Sequence, residues 1–265
     1  MIGATHRTQR VPGSRLRAAL IGTATVAVLV AAWEAAVRIG NLPPFVLPRP
    51  SQVVATAVEQ APLLGPHVAT TATEAVLGLA MGTMLGWLLA VLTSAFPTSG
   101  QISHPVVLLS QTIPTVVLAP LMILWAGYGL TPKVTLVALT VFFPVLVAAT
   151  AAIRDVDAEY SDTVAGLGGG KAHQMWLVRL PASVPGALAG LRIAATYAVG
   201  AAVVSEYLAG ESGIGVFIQR SRKAYAVDQI FVGIALIAIL SALMVAAIVA
   251  LRRVATPWQT NLVST

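Results

Sequence analysis

The side chains in this sequence that could do chemistry are few, and most fail on spacing. His6, His67, His104 and His173 form no i, i+4 pair and stand near no carboxylate set, so they do not assemble a metal site. Cysteine is absent, which removes thiolate nucleophiles, disulfides and sulfur-ligated metals. No serine sits in a Gly-x-Ser-x-Gly elbow, so nucleophilic catalysis has no support. Gly170 and Lys171 resemble the end of a phosphate-binding loop, but Ala165 stands where the first glycine belongs and Ala172 where magnesium needs a hydroxyl. Nucleotide binding by this chain is therefore excluded.

The remaining candidates are charges in apolar surroundings, which are costly there and functional by default. Glu34 and Glu74 are expected near the outer ends of the first and second apolar runs, at the membrane interface. Arg192 and Glu206 share one run but lie fourteen residues apart, about 21 Å along a helix, so they cannot pair. Arg192 can snorkel toward the inner face. Glu206, near the outer mouth, has two readings, a substrate gate and a structural polar contact. No carboxylate pair is expected deep in the spans, so a proton relay has no support either.

Few charges and many apolar runs decide what must position these residues. Of 265 residues 57% are hydrophobic and 10% charged, with mean hydropathy +0.84, far from the roughly one-quarter charged residues of a soluble domain. A cytosolic enzyme, a disordered tail and a nucleic-acid reader are thereby disfavoured. The formal charge of +6 comes from scattered residues that set orientation rather than bind a polyanion. Six runs are long enough to cross a hydrocarbon core of about 20 residues' span: residues 18–39, 70–96, 103–126, 133–153, 185–208 and 230–251. The expected fold is all-α, a polytopic bundle of six transmembrane helices. Arg7, Arg10, Arg15 and Arg17 before the first run, and Arg252 and Arg253 after the last, place both termini in the cytoplasm. Arg220, Arg222 and Lys223 then fall outside, against the rule. This divides the chain into a cytoplasmic tail (1–17), a six-span domain (18–251) containing a cytoplasmic segment (154–184), and a second cytoplasmic tail (252–265).

Between the first two runs, Pro48 and Pro50 stop the helix and Ser51 is placed to cap a short external helix reaching Glu59. In the cytoplasmic segment Asp155, Asp157 and Glu159 suit a helix start, Gly168, Gly169 and Gly170 a stop. A second short helix is expected over 171–180, broken by Pro181. Gly78, Gly82 and Gly86 line one face of the second run, and Gly186 and Gly190 one face of the fifth, allowing close helix approach.

The cytoplasmic segment resembles the Glu-Ala-Ala loop of ATP-binding-cassette importer permeases, an acidic residue followed six positions on by Gly and nineteen on by Pro. Asp162, Gly168 and Pro181 keep that spacing, with Val178 and Leu180 at the apolar positions; Thr163 and Val164 replace the two alanines. Leu47 to Val53, the run Ile113, Pro114, Ala119, Pro120, Leu121 with Trp125, Gly127, Tyr128 and Gly129, and Gly190 to Ala194 resemble segments of the nitrate, sulfonate and taurine-type branch. Some variants are similar to members that carry thiamine-pyrimidine precursors or riboflavin. The resemblance implies a type I importer permease with a coupling helix, non-catalytic, working as a homodimer above two copies of a P-loop ATPase and below an extracytoplasmic solute-binding protein. It implies no cofactor in this chain, ATP and magnesium being bound by the ATPase, and no nucleic acid. Asp162, Gly168, Val178, Leu180 and Pro181 are the implied ATPase-coupling residues; Gln111, Trp125, Arg192, Tyr197 and Glu206 are candidates for the path of a small organic solute or anion. The rivals are an ion-gradient-driven secondary transporter, which needs midplane ionisable residues or broken helices, and a membrane-embedded enzyme.

Overall fold

The computed structural model describes residues 14–95 and 114–257, and everything in it is helical or turn. In chain order the elements are α1 (Ser14–Ile39), α2 (Pro50–Glu59), α3 (Ala61–Ala95), α4 (Thr115–Ala126), α5 (Leu130–Arg154), α6 (Ala158–Gly166), α7 (Lys171–His173), a π-helical segment (Gln174–Arg179), α8 (Leu180–Ala209), α9 (Ile214–Lys223) and α10 (Val227–Ala255). Among the described residues five helical stretches are long and apolar enough to cross a membrane, Leu20–Ile39, Ala61–Ala95, Leu130–Arg154, Lys171–Leu208 and Val227–Ala255. The third expected run is represented by α4 alone; its first part, with Gln111, lies outside the described residues.

The glycine faces explain how the centre is built. A methyl group at Gly78 would overlap Val137, one at Gly82 would overlap Val141 and Ala138, and one at Gly86 would press on the Phe142 carbonyl. Backbone lies against side chain at successive turns, so α3 and α5 pack along their length. The partners advance together, 78 with 137, 82 with 141 and 86 with 145, so α3 and α5 run parallel. Gly186 and Gly190 of α8 meet Ala152 and Ala148 of α5, in descending order, so α8 runs antiparallel to both. Ala75, Leu79, Val137, Val141, Val145, Ala194, Ala198, Val199 and Met244 fill the space between α3, α5, α8 and α10. Small residues on α8 are what allow three helices to converge at that point.

Separate clusters close the two ends. At one, Ala90, Leu146, Ile153, Met175, Leu180 and Ala187 seat the π segment and the start of α8 against α3 and α5. At the other, Leu64, Phe217 and Val232, with Val53, Ala57 and Leu236, join α2, α3, α9 and α10. The helix α1 is mostly exposed and apolar, held to the rest by Trp33 against Phe231 and by Glu34 against α2.

Two local expectations need correction. Ser51 is not the cap of α2: Arg49 occupies that position, and Gln52 Oε1 accepts the Arg49 N–H. Ser51 instead donates both its N–H (3.0 Å) and its hydroxyl (2.9 Å) to Glu34, whose carboxylate therefore serves the open N-terminus of α2. Glu34 also pairs with Arg38 on its own helix, at 2.7 Å. Pro181 does not break a helix: it lies in the first turn of α8, and the chain runs continuously from Lys171 through the π segment to Ala209. The wider π turn just before it, where the Leu180 N–H reaches the Met175 carbonyl, accommodates a residue that cannot donate to the helix ladder.

Candidate functional site

The segment carrying Asp162 and Gly168 is built from a short helix with a specific stop. Asp157 precedes α6, and Glu159 in its first turn suits the positive end of the helix dipole. At its far end the Gly168 N–H reaches the Ala165 carbonyl (2.9 Å) and the Gly169 N–H the Val164 carbonyl (2.9 Å). These crossed bonds form a Schellman stop, which needs a left-handed residue at Gly168, where φ is +84°. No atom lies within 4 Å of where a Cβ would stand there, so the demand for glycine is conformational and not steric. The stop fixes the exit direction of the chain, which a merely flexible loop would not.

The five coupling candidates divide into an outward and an inward set. Asp162 and Gly168 are exposed, with Tyr160 and Leu167 beside them. Leu180 is buried in the end cluster, Val178 half-buried, and Pro181 exposed at the start of α8. Arg179 Nε donates to the buried Ser161 Oγ at 3.3 Å, tying α6 to the π segment. An exposed helix is thus linked through one six-residue π turn to the long helix α8. Trp176 and Leu177, on that turn, are exposed as well.

The path candidates separate differently. Trp125, Arg192 and Tyr197 are exposed on the single chain, while Glu206 is 1% exposed. Glu206 is engaged on every side: Thr71 donates its hydroxyl to Oε1 at 2.6 Å and the Gly215 N–H reaches Oε2 at 2.7 Å. Thr71 Oγ1 in turn accepts the Ile214 N–H (2.9 Å), and His67 Nδ1 accepts the Gly213 N–H (2.9 Å). Three side chains from two helices therefore satisfy three unbonded amides at the start of α9. Gly213, at φ +120°, makes room for this, since a Cβ there would overlap the Glu206 carboxylate. The structural reading of Glu206 is the one this geometry describes.

Glu74 faces the protein interior. It is 1% exposed and receives Lys133 Nζ from α5 at 2.8 Å. It stands one helical turn from Thr71, the donor to Glu206 Oε1, so the two carboxyls are neighbours. Two carboxylates expected singly at the outer ends of two runs are thus brought together by the fold. Lys133 at the start of an apolar run and the spacing Gly210, Gly213, Gly215 after Glu206 were the available signals. Neither says which residue faces which, since Glu74 and Lys133 are 59 positions apart and Thr71 and Glu206 135. Among the described residues no group of His, Asp and Glu could hold a metal ion.

An apolar multi-helix body with five helices long enough to cross a membrane and a short exposed helix at one end defines a class, a polytopic membrane component. Residues 82–260 match the family described as "Binding-protein-dependent transport system inner membrane component", and the chain belongs to that family. It is 32% identical over 256 residues to the taurine transport system permease protein TauC of Escherichia coli K12, covering 94% of this chain and 92% of that one. It is 32% identical to the formylaminopyrimidine transport permease protein ThiX of Halalkalibacterium halodurans, covering 88% and 93%. The fold is similar to that of a MetNI methionine ABC transporter in inward-facing form, with a TM-score of 0.57 at 19% identity, over 72% of this chain and 93% of that one. The protein is thus a multi-pass inner-membrane permease subunit of a binding-protein-dependent ATP-binding-cassette importer, non-catalytic and without a cofactor of its own. Such a system has an ATPase and a binding protein as partners. Its energy comes from that ATPase, which sets aside the ion-gradient reading.

Proposed function

We propose that this chain forms, as a homodimer over two P-loop ATPases, the membrane path for a small organic anion or heterocycle delivered by a solute-binding protein. The solute class rests on the taurine and formylaminopyrimidine relatives, which share about a third of its residues over most of its length. The reading takes six crossings with both termini in the cytoplasm, which the parallel packing of α3 and α5 and the arginines flanking the first and last runs support. Two parallel spans joined in sequence need a return crossing between them, and residues 96–129, including apolar α4, are the chain available for it. The boundaries 18–251 for the span domain and 154–184 for the coupling segment follow the same scheme.

Under this topology α6 faces the cytoplasm, and it carries the reading: an exposed helix with a fixed stop, hydrogen-bonded to the turn that opens α8. Docked in the ATPase through Asp162 and its exposed neighbours, α6 moves with ATP-driven closure. Gly168 sets its exit angle, while Val178, Leu180 and Pro181 transmit the displacement to α8. Trp125, Arg192 and Tyr197, exposed on the single chain, are assigned to the path between two copies, with Gln111; Glu206 is assigned to holding the far end of α8. The test is reconstitution of the chain with its ATPase in proteoliposomes and measurement of ATP-dependent uptake of taurine, an alkanesulfonate, a formylaminopyrimidine and riboflavin with the partner binding protein. Uptake of one of these that requires ATP and the binding protein supports the reading. Uptake driven by an ion gradient without ATP would overturn it.

A further inference from the structure

Three ionisable side chains meet inside the bundle, Glu74 of α3, Lys133 of α5 and Glu206 of α8, all buried. If each carries its charge, the cluster is one unit negative in an apolar interior, where a net charge is strongly disfavoured. The hydrogen bonds show where the imbalance sits. Glu74 Oε1 accepts from Lys133, and both oxygens of Glu206 accept, from Thr71 and from Gly215. Glu74 Oε2 is fully buried and accepts from no N–H or O–H donor. The Glu206 carboxyl stands beside it, because Thr71, one turn before Glu74 on the same face of α3, donates to Glu206 Oε1 at 2.6 Å. Two buried carboxylates that are neighbours repel unless a proton lies between them.

Among the described residues the surrounding groups do not supply another cation. His67 accepts the Gly213 N–H through Nδ1, which requires that nitrogen to be unprotonated. Arg220 of α9 is close enough to act electrostatically on His67, but it is exposed and donates to the Glu211 carbonyl. Ser205 of α8 gives its hydroxyl to the Ala202 carbonyl. In the turn after α4, Tyr128 lines a small cavity with Lys133 and Ser205. From α10, Asp228 lies away from the cluster, accepting from Thr56.

We propose that Glu74 and Glu206 share one proton, in an O–H···O bond that makes Glu74, Lys133 and Glu206 a neutral unit and lets α3 and α8 close around the start of α9. It is a fixed proton site that anchors α9, since Glu206 holds the Gly215 N–H at the start of that helix. The shared proton relieves repulsion where Glu206 must sit to accept from Gly215.

The test uses the full chain with its ATPase in lipid nanodiscs. Infrared spectra of the wild type should contain the C=O stretch of a protonated carboxyl, absent from Glu74→Gln, whose amide donates to Glu206 and accepts from Lys133 in place of the acid. The same variant should unfold within about 2 °C of wild type, while Glu74→Ala, which leaves Lys133 without its partner, unfolds well below it. A wild type lacking the band, a band retained in Glu74→Gln, or a Glu74→Gln as unstable as Glu74→Ala would each overturn the shared proton. So would a wild-type midpoint that rises with added sodium at constant ionic strength, because a metal ion would then supply the missing charge.

Discussion

Gly168 shows how one residue can carry mechanical information. Its left-handed φ closes two crossed hydrogen bonds at the end of α6, and an L residue there costs on the order of 1–3 kcal/mol with no steric clash to aggravate it. Asp at this position adds that strain and a negative charge on an exposed turn. Gly168→Asp should insert and fold, yet lower transport by about tenfold, the factor that roughly 1.4 kcal/mol produces, and weaken ATPase copurification. Transport at the wild-type rate with the ATPase still bound would remove this turn from the coupling role. Gly82 is the opposite case, where the demand is steric. A leucine there would drive into Val141 and the Ala138 backbone, and overpacking of this kind costs about 3 kcal/mol. Gly82→Leu should lower the unfolding midpoint in detergent, whereas Leu243→Ile, at an exposed site on α10, should leave it nearly unchanged.

At the scale of elements, the π segment is the feature that sequence reasoning could not supply. Composition and run length located the apolar helices because a membrane span has to be about 20 apolar residues long whatever it packs against. The stop after α6 was legible for a similar reason, since three consecutive glycines leave few alternatives. Pro181 was misleading because a proline ends a helix unless a local widening such as a π turn accommodates it, and the packing of Met175 and Leu180 against α3 and α5 holds that turn in place. The Glu74, Lys133 and Glu206 cluster was illegible because each contact joins distant parts of the chain. A π turn holds one residue more than an α turn, and removing it would rotate α6 about α8 by roughly 100°. Deleting Gln174 should therefore leave α8 seated but point α6 away from its dock. In proteoliposomes the variant should lose transport far more than it loses ATPase activity. Loss of both in proportion would mean that the segment is a passive connector.

For the whole molecule, the parallel pair α3 and α5 constrains topology more tightly than the charge rule does. Arg220, Arg222 and Lys223 at the end of α9 oppose the orientation set by the N-terminal arginines, so charge counting alone leaves a conflict. Helix packing bears on the number of crossings without reference to charge: α3 and α5 run parallel and α8 antiparallel to both, which supports the proposed return crossing between α3 and α5. Under the proposed six crossings the two termini share a side, and that side also holds α6. Native cysteine is absent, so single cysteines report cleanly. Thr5→Cys and Leu262→Cys should stay unlabelled by an impermeant thiol reagent added to intact cells and become labelled after permeabilisation. Ala224→Cys, exposed just after α9, should react from outside without permeabilisation. Labelling of either terminus in intact cells would break the six-crossing scheme, and it would also move α6 to the side where no ATP-hydrolysing partner can reach it.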